Sequence, residues 1–350
     1  MNPPNTAAAR AMEQLRFIDD VEALLRRALE AEPPLVASDT RLLLEAARHL
    51  CLAGGAKRAR PWLVQAFGEA VGAAEEDDLV NVAVAAELIH GASLLHDDVV
   101  DEGTMRRGRP TVNRVWGNTV AVLSGDLLLS IAFDHIKRLP PAILHDALDV
   151  VLEMTRAAIT EVCQRGRPDV PLSRWRAVAE GKTGSLFAWC GRAAAHIADD
   201  DEAVEMLDAC GRHLGVAFQL ADDLKDLTPA DSGKDRLADI RSRNPSYPLL
   251  LACAEDDELR ARLAEVWRDG VVGENEVEEI GERVLRTGAL EETRKVFVEE
   301  LTGAVDALGA YVLTTGGEKV VGWAQALAEA AGAGATPFEL MERLEREAVG

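Results

Sequence analysis

The stretch from Leu88 to Asp101 constrains this chain most: Leu-Ile-His-Gly-Ala-Ser-Leu-Leu-His-Asp-Asp-Val-Val-Asp. An apolar helical run ends there in three carboxylates, Asp97, Asp98 and Asp101. At 3.6 residues per turn Asp97 and Asp101 share a face, and Asp98 sits about 100° round from Asp97. Like charges at i and i+4 repel on a bare helix, so the arrangement costs stability unless a cation sits there. A solvated helix end is one reading. Ile89, Leu94 and Leu95 read as core, however, which sets the carboxylates at the mouth of a buried surface. The same spacing recurs at Asp222, Asp223 and Asp226, after the helical run Gly211–Ala221. Two such helices facing one another would frame divalent ions holding a diphosphate.

Elsewhere apolar residues recur at helical spacing. Leu15, Ile18, Val21, Leu24 and Leu25 mark a helix over 11–31, ended by Pro33-Pro34. Further helices are expected over 40–53, 62–74, 79–101, 118–138, 143–163, 172–197 and 202–227. Aromatics are only 4% of the chain, which favours helices over sheets. The expected fold class is all-α. Residues 1–10 read as a disordered tail and 11–350 as a single all-helical domain. The motifs lie within 54–248, while 249–350 return to helices without visible chemistry, the last of them short, at 337–347. The polar, breaker-rich 228–248 reads as a long loop, functional or disordered.

Gly54-Gly55-Ala56-Lys57-Arg58-Ala59-Arg60-Pro61 is a glycine turn carrying three cations. Glycine lets backbone approach a ligand closely, and Lys57 and Arg60 can share a face on an anion. Cations at a helix N-terminus oppose the macrodipole, so the cluster calls for an anion or for screening acids. Arg106, Arg107 and Arg109 follow the first aspartates. A salt-bridged loop satisfies that pattern; so does a divalent metal with phosphate between it and the arginines. Mg²⁺ suits the second, because it keeps few carboxylates and completes its shell with water and phosphate oxygens. Gly181-Lys182-Thr183-Gly184 lacks the glycine spacing and preceding strand of a phosphate loop, and Lys182 alone reads as a surface lysine.

The net charge of -22 argues against a nucleic-acid surface and against general attraction to anionic lipid. Cys51, Cys163, Cys190, Cys210 and Cys253 are widely spaced and form no CxxC, which points to reduced, buried thiols in a cytoplasm. Met1–Arg10 has no signal pattern. No uninterrupted apolar stretch approaches the roughly 20 residues of a membrane span, so the chain is expected not to be membrane-spanning.

These blocks resemble the trans-prenyl (polyprenyl) diphosphate synthases, in the first aspartate motif the medium- and long-chain members above all. Gly55-Ala56-Lys57-Arg58-Ala59-Arg60-Pro61 resembles the family's GGKRxRP, with Ala56 for a glycine. His96–Asp101 through Arg106-Arg107-Gly108, Lys182-Thr183, and Phe218-Gln219-Leu220-Ala221-Asp222-Asp223-Leu224-Lys225-Asp226 match in order. Asn244 departs, standing where a lysine is usual, with Arg243 beside it.

The resemblance implies an isoprenoid synthase type I fold, antiparallel helices around a deep central cavity, as a homodimer. It implies condensation of an allylic diphosphate with isopentenyl diphosphate, with Mg²⁺ as cofactor. Three ions would sit with the bound diphosphate, and Mn²⁺ would substitute. Asp97, Asp101 and Asp222 would hold metal, with Asp98, Asp223 and Asp226 supporting. Arg106 would bind the allylic diphosphate, and Lys57, Arg60, His90 and Arg107 isopentenyl diphosphate. Lys182, Thr183 and Gln219 would line the reacting end, and Lys234 would reach the leaving diphosphate.

Ala92 and Ser93 lie one turn below the metal face, where short-chain members carry bulky aromatics. From Asp97 down to Ala86 that face offers about 16 Å of groove, which favours an all-trans product of roughly C20 or longer. Close helix packing would also account for these small residues. Three other readings stand beside elongation: a class I terpene cyclase, a geranyl or farnesyl diphosphate synthase, and a non-catalytic regulatory subunit. A cyclase would carry N-D-x-x-S-x-x-x-E as its second motif, and a regulatory subunit would lose aspartates; this chain does neither.

Overall fold

The computed structural model describes residues 6–30, 39–228, 236–268 and 270–332. Lys234, residues 1–5 and the helix expected at 337–347 lie outside them. Among the described residues the elements are helical apart from one hairpin of two-residue strands, so the fold class is all-α as expected. The first helices are α1 (Thr6–Glu30), α2 (Asp39–Cys51), α3 (Ala59–Ala70) and α4 (Glu76–Val100). α1 begins inside the stretch read as a tail.

The described residues group into two compact units. The first takes the chain up to Leu148 together with Cys190–Glu205 and Thr314–Gly316. In it α4 packs against α1, α2, α3 and α6 (Asn118–Ile136). Leu79, Val82, Val84, Leu88 and Leu95 of α4 are buried on several sides of the helix. A helix apolar all round belongs in a core. Burying each Val or Leu contributes roughly 1.5–3 kcal/mol. Helix propensity separates Val from Ala by under about 0.7 kcal/mol, so packing, not propensity, keeps this Val-rich segment helical.

α4 and α6 stand out by their composition. Both are long and apolar enough, by length and composition, to cross a membrane. The apolar window of α4 is 72% buried inside the structure, as a core helix would be, whereas that of α6 is 33% buried.

After α4 the chain makes the antiparallel hairpin β1 (Met105–Arg106) and β2 (Arg109–Pro110). Arg107 and Gly108 form its tip with φ of 50° and 73°. Positive φ at both central residues is what a type I′ turn requires. The short helix α5 (Val112–Trp116) leads into α6.

The second unit takes Asp149–Trp189, Met206–Leu313 and the chain from Gly317. α7 (Pro141–Gln164) precedes α8 (Leu172–Ala179), a π-helical turn over Glu180–Gly184, and α9 (Ser185–Ile197), where one helix was expected. α10 (Asp201–Leu227) follows. The long loop expected over 228–248 is shorter than read, because α11 (Ala238–Ser242) and the start of α12 (Tyr247–Glu255) occupy its second half. α13 (Asp257–Arg268), α14 (Glu274–Arg286), α15 (Ala289–Ala307) and α16 (Thr315–Ala330) complete the order. Leu227, Leu237, Ile240, Leu249, Leu263, Trp267 and Ile280 share a core under the end of α10. The Trp267 indole donates to the Ile240 carbonyl at 3.0 Å, so that core also fixes α11.

Four cysteines are buried as expected, but Cys163 is exposed. Burial pushes the Cys51, Cys190 and Cys253 thiols up to about 12 and raises Cys210 as well. Thiolate is the reactive form, so these thiols are inert near neutral pH. Ellman's reagent at pH 8 is expected to find a single fast thiol in the native chain, abolished by Cys163→Ser. Fast reaction of a second thiol in that variant would contradict the burial.

Candidate active site

At the end of α4 the three aspartates part company. Asp97 is half-buried and Asp101 exposed, one turn on, with its backbone N–H on the Asp97 carbonyl at 2.8 Å. Asp98 points inward and is 3% exposed. Arg106 Nε donates to its two oxygens at 2.9 and 3.1 Å, and Arg106 Nη2 lies 2.8 Å from Oδ1. Breaking such a buried pair from one side costs about 3–5 kcal/mol, because a charge is left unpaired. Asn113 Nδ2 donates to the carbonyls of Asp98 and Gly103, at 3.0 and 3.1 Å, and the Thr111 hydroxyl donates to Gly103 at 2.6 Å. The arginine hairpin is therefore stapled to the helix that carries the aspartates. Sequence reasoning missed Thr111 and Asn113; polar side chains just after a predicted loop were the only signal.

The basic turn divides in the same way. Lys57 is exposed, Arg60 intermediate and Arg58 buried. Arg107 Nη1 donates to the Leu50 carbonyl at 3.4 Å. Burial, then the guanidiniums of Arg60, Arg107, Arg106 and Arg58, hold the His90 imidazole neutral, well below its usual range. One turn below Asp97, Ser93 is half-buried with its hydroxyl donating to the His90 carbonyl at 2.8 Å. Ala92 is buried, 1% exposed.

In the second unit Asp222 is exposed and Asp223 is 3% exposed. Asp223 accepts from the Trp175 indole at 3.1 Å, the Tyr247 backbone at 2.9 Å and Gln219 Nε2 at 3.1 Å. Asp226 accepts the N–H groups of Ala238 and Asp239 at 2.8 and 3.2 Å. Asn244 donates to Asp239 at 2.9 Å, which is what the residue in the usual lysine position does here. Burial and the neighbouring Asp239 push the Asp223 carboxyl well up, and burial raises Asp226. Asp239, buried beside Asp226, is pushed up to about 7. Carboxylates crowded in this way favour a cation.

The π turn carries Lys182 and Thr183. Lys182 Nζ donates to Glu161 at 2.5 Å, and Thr183 is buried. π turns occur often at functional sites. Gly215 of α10 seats this segment, and Gly211 seats the start of α9 that follows it. A Cβ on Gly215 would lie 2.3 Å from Gly184 Cα, and one on Gly211 2.5 Å from Ala188 Cα. The four-residue spacing of these glycines was the overlooked signal. A second omission is Trp323 of α16, from the stretch read as free of chemistry. Its ring stacks at 6.3 Å and 5° on Phe218, which precedes Gln219.

No group of three His, Cys, Asp or Glu side chains forms a metal cage among the described residues. The donor set still fits Mg²⁺, which takes one or two carboxylates and fills its shell with water and substrate phosphate. In the first unit Asp97 is half-buried and Asp101 exposed, and in the second Asp222 is exposed, with Lys225 Nζ at 3.7 Å.

Residues 40–284 match the family described as Polyprenyl synthetase. The all-trans-nonaprenyl-diphosphate synthase (geranyl-diphosphate specific) of Rhodobacter capsulatus is 34% identical over 78% of this chain and 84% of its own. The (2E,6E)-farnesyl diphosphate synthase of Mycobacterium bovis is 38% identical over 59% of this chain and 60% of its own. The crystal structure of a decaprenyl diphosphate synthase from Rhodobacter capsulatus superposes with a TM-score of 0.83 at 29% identity, covering 91% of this chain and 97% of that one. The chain belongs to the polyprenyl synthetase family. It is a prenyl-transferring enzyme with the isoprenoid synthase type I fold.

Gly215→Ala is expected to destabilise the protein by roughly 1–3 kcal/mol in urea denaturation, since the methyl meets backbone rather than a yielding side chain. An unchanged midpoint would mean that the π turn does not rest on α10.

Proposed function

We propose that this chain condenses an allylic diphosphate with isopentenyl diphosphate to an all-trans polyprenyl diphosphate of roughly C20 or longer, residues 11–350 acting as one synthase domain. The observation carrying this reading is the division of labour at both aspartate motifs: one carboxylate is locked into the scaffold while another stays accessible at the helix end. Asp97, Asp101 and Asp222 would hold Mg²⁺, three ions in all, with Mn²⁺ as a substitute. Bound Mg²⁺ supplies Lewis-acid neutralisation of the departing diphosphate. Asp98, Asp223 and Asp226 support these ligands from the scaffold side.

Arg106, held by Asp98, receives the allylic diphosphate. Lys57, Arg60, Arg107 and neutral His90 receive isopentenyl diphosphate. The Thr183 and Gln219 oxygens turn their dipoles toward the allylic carbocation, whose charge a dry site leaves unscreened. The isopentenyl double bond attacks it, a carbon–carbon bond forms, and the proton released goes to the departing diphosphate. Lys182 lines the reacting end.

Product length rests on Ser93, which shares the Asp97 face and leaves room below it. The relatives named above span farnesyl to decaprenyl products, so similarity leaves this to the cavity wall. A second copy of the chain is the proposed partner, and the cytoplasm the proposed location. In support of a homodimer, Val115, Val122, Leu123 and Leu148 expose apolar surface, at 39–48%. Exposed apolar side chains of this kind are where a self-association surface would be sought.

Incubation with Mg²⁺, labelled isopentenyl diphosphate and farnesyl diphosphate is expected to give longer labelled prenyl diphosphates. A hydrocarbon without isopentenyl label would indicate cyclisation, and no product at all a regulatory subunit. Asp97→Ala should abolish turnover; full activity would refute its metal role. Ser93→Phe should shorten the product, and an unchanged chain length would remove Ser93 from the wall. By light scattering, Leu123→Glu should turn a dimer into a monomer; an intact dimer would place the interface elsewhere.

A further inference from the structure

Of the three cations in the basic turn, Arg58 is the one buried as a whole residue, while Arg60 is intermediate and Lys57 exposed. Arg58 caps α3 in the left-handed region, with φ of 49° and ψ of 38°, which a residue with a Cβ rarely adopts. Its guanidinium is 8% exposed and its donors are consumed on three sides. Nε donates to Glu22 Oε1 of α1 at 2.6 Å, Nη1 to Glu87 Oε2 of α4, and Nη2 to the Cys51 carbonyl at the end of α2 at 3.0 Å. One side chain thus ties the turn to three helices.

Glu87 is the other half of this lock. It is 6% exposed and lies three residues before His90 on α4. Its charge also favours the charged forms of Arg60 and Arg107, which burial disfavours. Cations gathered at a helix N-terminus repel one another and the macrodipole, and Gly54-Gly55 gives the turn no stiffness of its own. Without an inward anchor the turn would have to be ordered by the ligand, and affinity would fall by that cost.

We infer that Arg58 and Glu87 are positioning residues: their buried ion pair holds Lys57 and Arg60 in the geometry that receives the diphosphate of isopentenyl diphosphate, and Arg58 itself does not touch substrate. This rests on the proposed activity and adds to it a residue pair that neither binds ligand nor reacts. The competing assignment makes Arg58 a third phosphate ligand. The two differ in sign at Glu87. Removing that carboxylate would free Arg58 for an anion and strengthen binding if Arg58 were a ligand. It weakens binding if the pair is an anchor.

The test uses the full chain with Glu87→Gln, Arg58→Gln and the double variant. Steady-state kinetics with both substrates is paired with calorimetric titration of isopentenyl diphosphate. Each single variant should raise the KM and Kd for isopentenyl diphosphate about tenfold while the allylic KM and kcat move less than about twofold. The double variant should be no weaker than the weaker single, because the two act as one unit. An isopentenyl Kd that is unchanged or tighter in Glu87→Gln overturns the inference. An equal rise for both substrates also overturns it, since that is general loosening. If Glu87→Gln does not fold, Glu22→Gln, at the half-exposed end of the lock, should raise the isopentenyl Kd in the same direction by less, and no change there overturns it. Wild-type protein that binds isopentenyl diphosphate but does not elongate would refute the proposed activity, while the Kd comparison would still decide the anchor.

Discussion

Burying α4 along most of its length leaves its charged groups two places to go: into ion pairs inside the protein, or out at the helix end. Glu87 takes the first course with Arg58, and Asp98 takes it with Arg106. Asp97, half-buried, and Asp101, exposed, lie at the helix end. A buried charge left unpaired costs several kcal/mol, so each inward carboxylate fixes an arginine as firmly as the core fixes the helix. Those two arginines belong to the basic turn and to the hairpin. The basic turn and the hairpin of the first unit are therefore positioned by the same helix that carries Asp97 and Asp101.

The second unit reaches a similar result with different chemistry. Asp223 is held by an indole, a backbone amide and a glutamine, all neutral donors. Neutral donors satisfy hydrogen bonding without cancelling charge, and burial still pushes this carboxyl up. Asp98 is held by a guanidinium that brings its own positive charge. The two aspartate motifs look alike as text, but their buried members are not equivalent electrostatically: Asp98 is held by a cation and Asp223 by neutral donors. Gly215 then sets α10 against the π turn at backbone distance and Gly211 sets it against α9, which places Thr183 beside the helix that carries Gln219.

Where the sequence reading fell short, the reasons are specific. The π turn in 172–197 is invisible to a periodicity argument, since one extra residue in a turn barely disturbs an apolar pattern. The hairpin at Met105–Pro110 has only two residues per strand, too few to show alternation. Trp323 lay in a stretch read as free of chemistry because nothing in its own neighbourhood announces that it stacks on Phe218, which is more than a hundred positions away. Cys163 was read as buried because free cysteine usually is, yet it lies on the exposed side of α7.

The chain's text alone determined the all-α class, most helix positions and the inventory of the candidate site: two aspartate triplets, a basic turn, an arginine pair and a lysine–threonine pair. These are local properties, set by spacing along one helix or within one turn. Only the tertiary structure decided which member of each cluster faces the protein and which faces outward. Asp97, Asp98 and Asp101 are the same residue type, as are Arg58 and Arg60, and spacing cannot say which of them meets Arg106 or Glu87. That choice depends on side chains brought together from distant positions, where burial makes an unpaired charge too costly to leave.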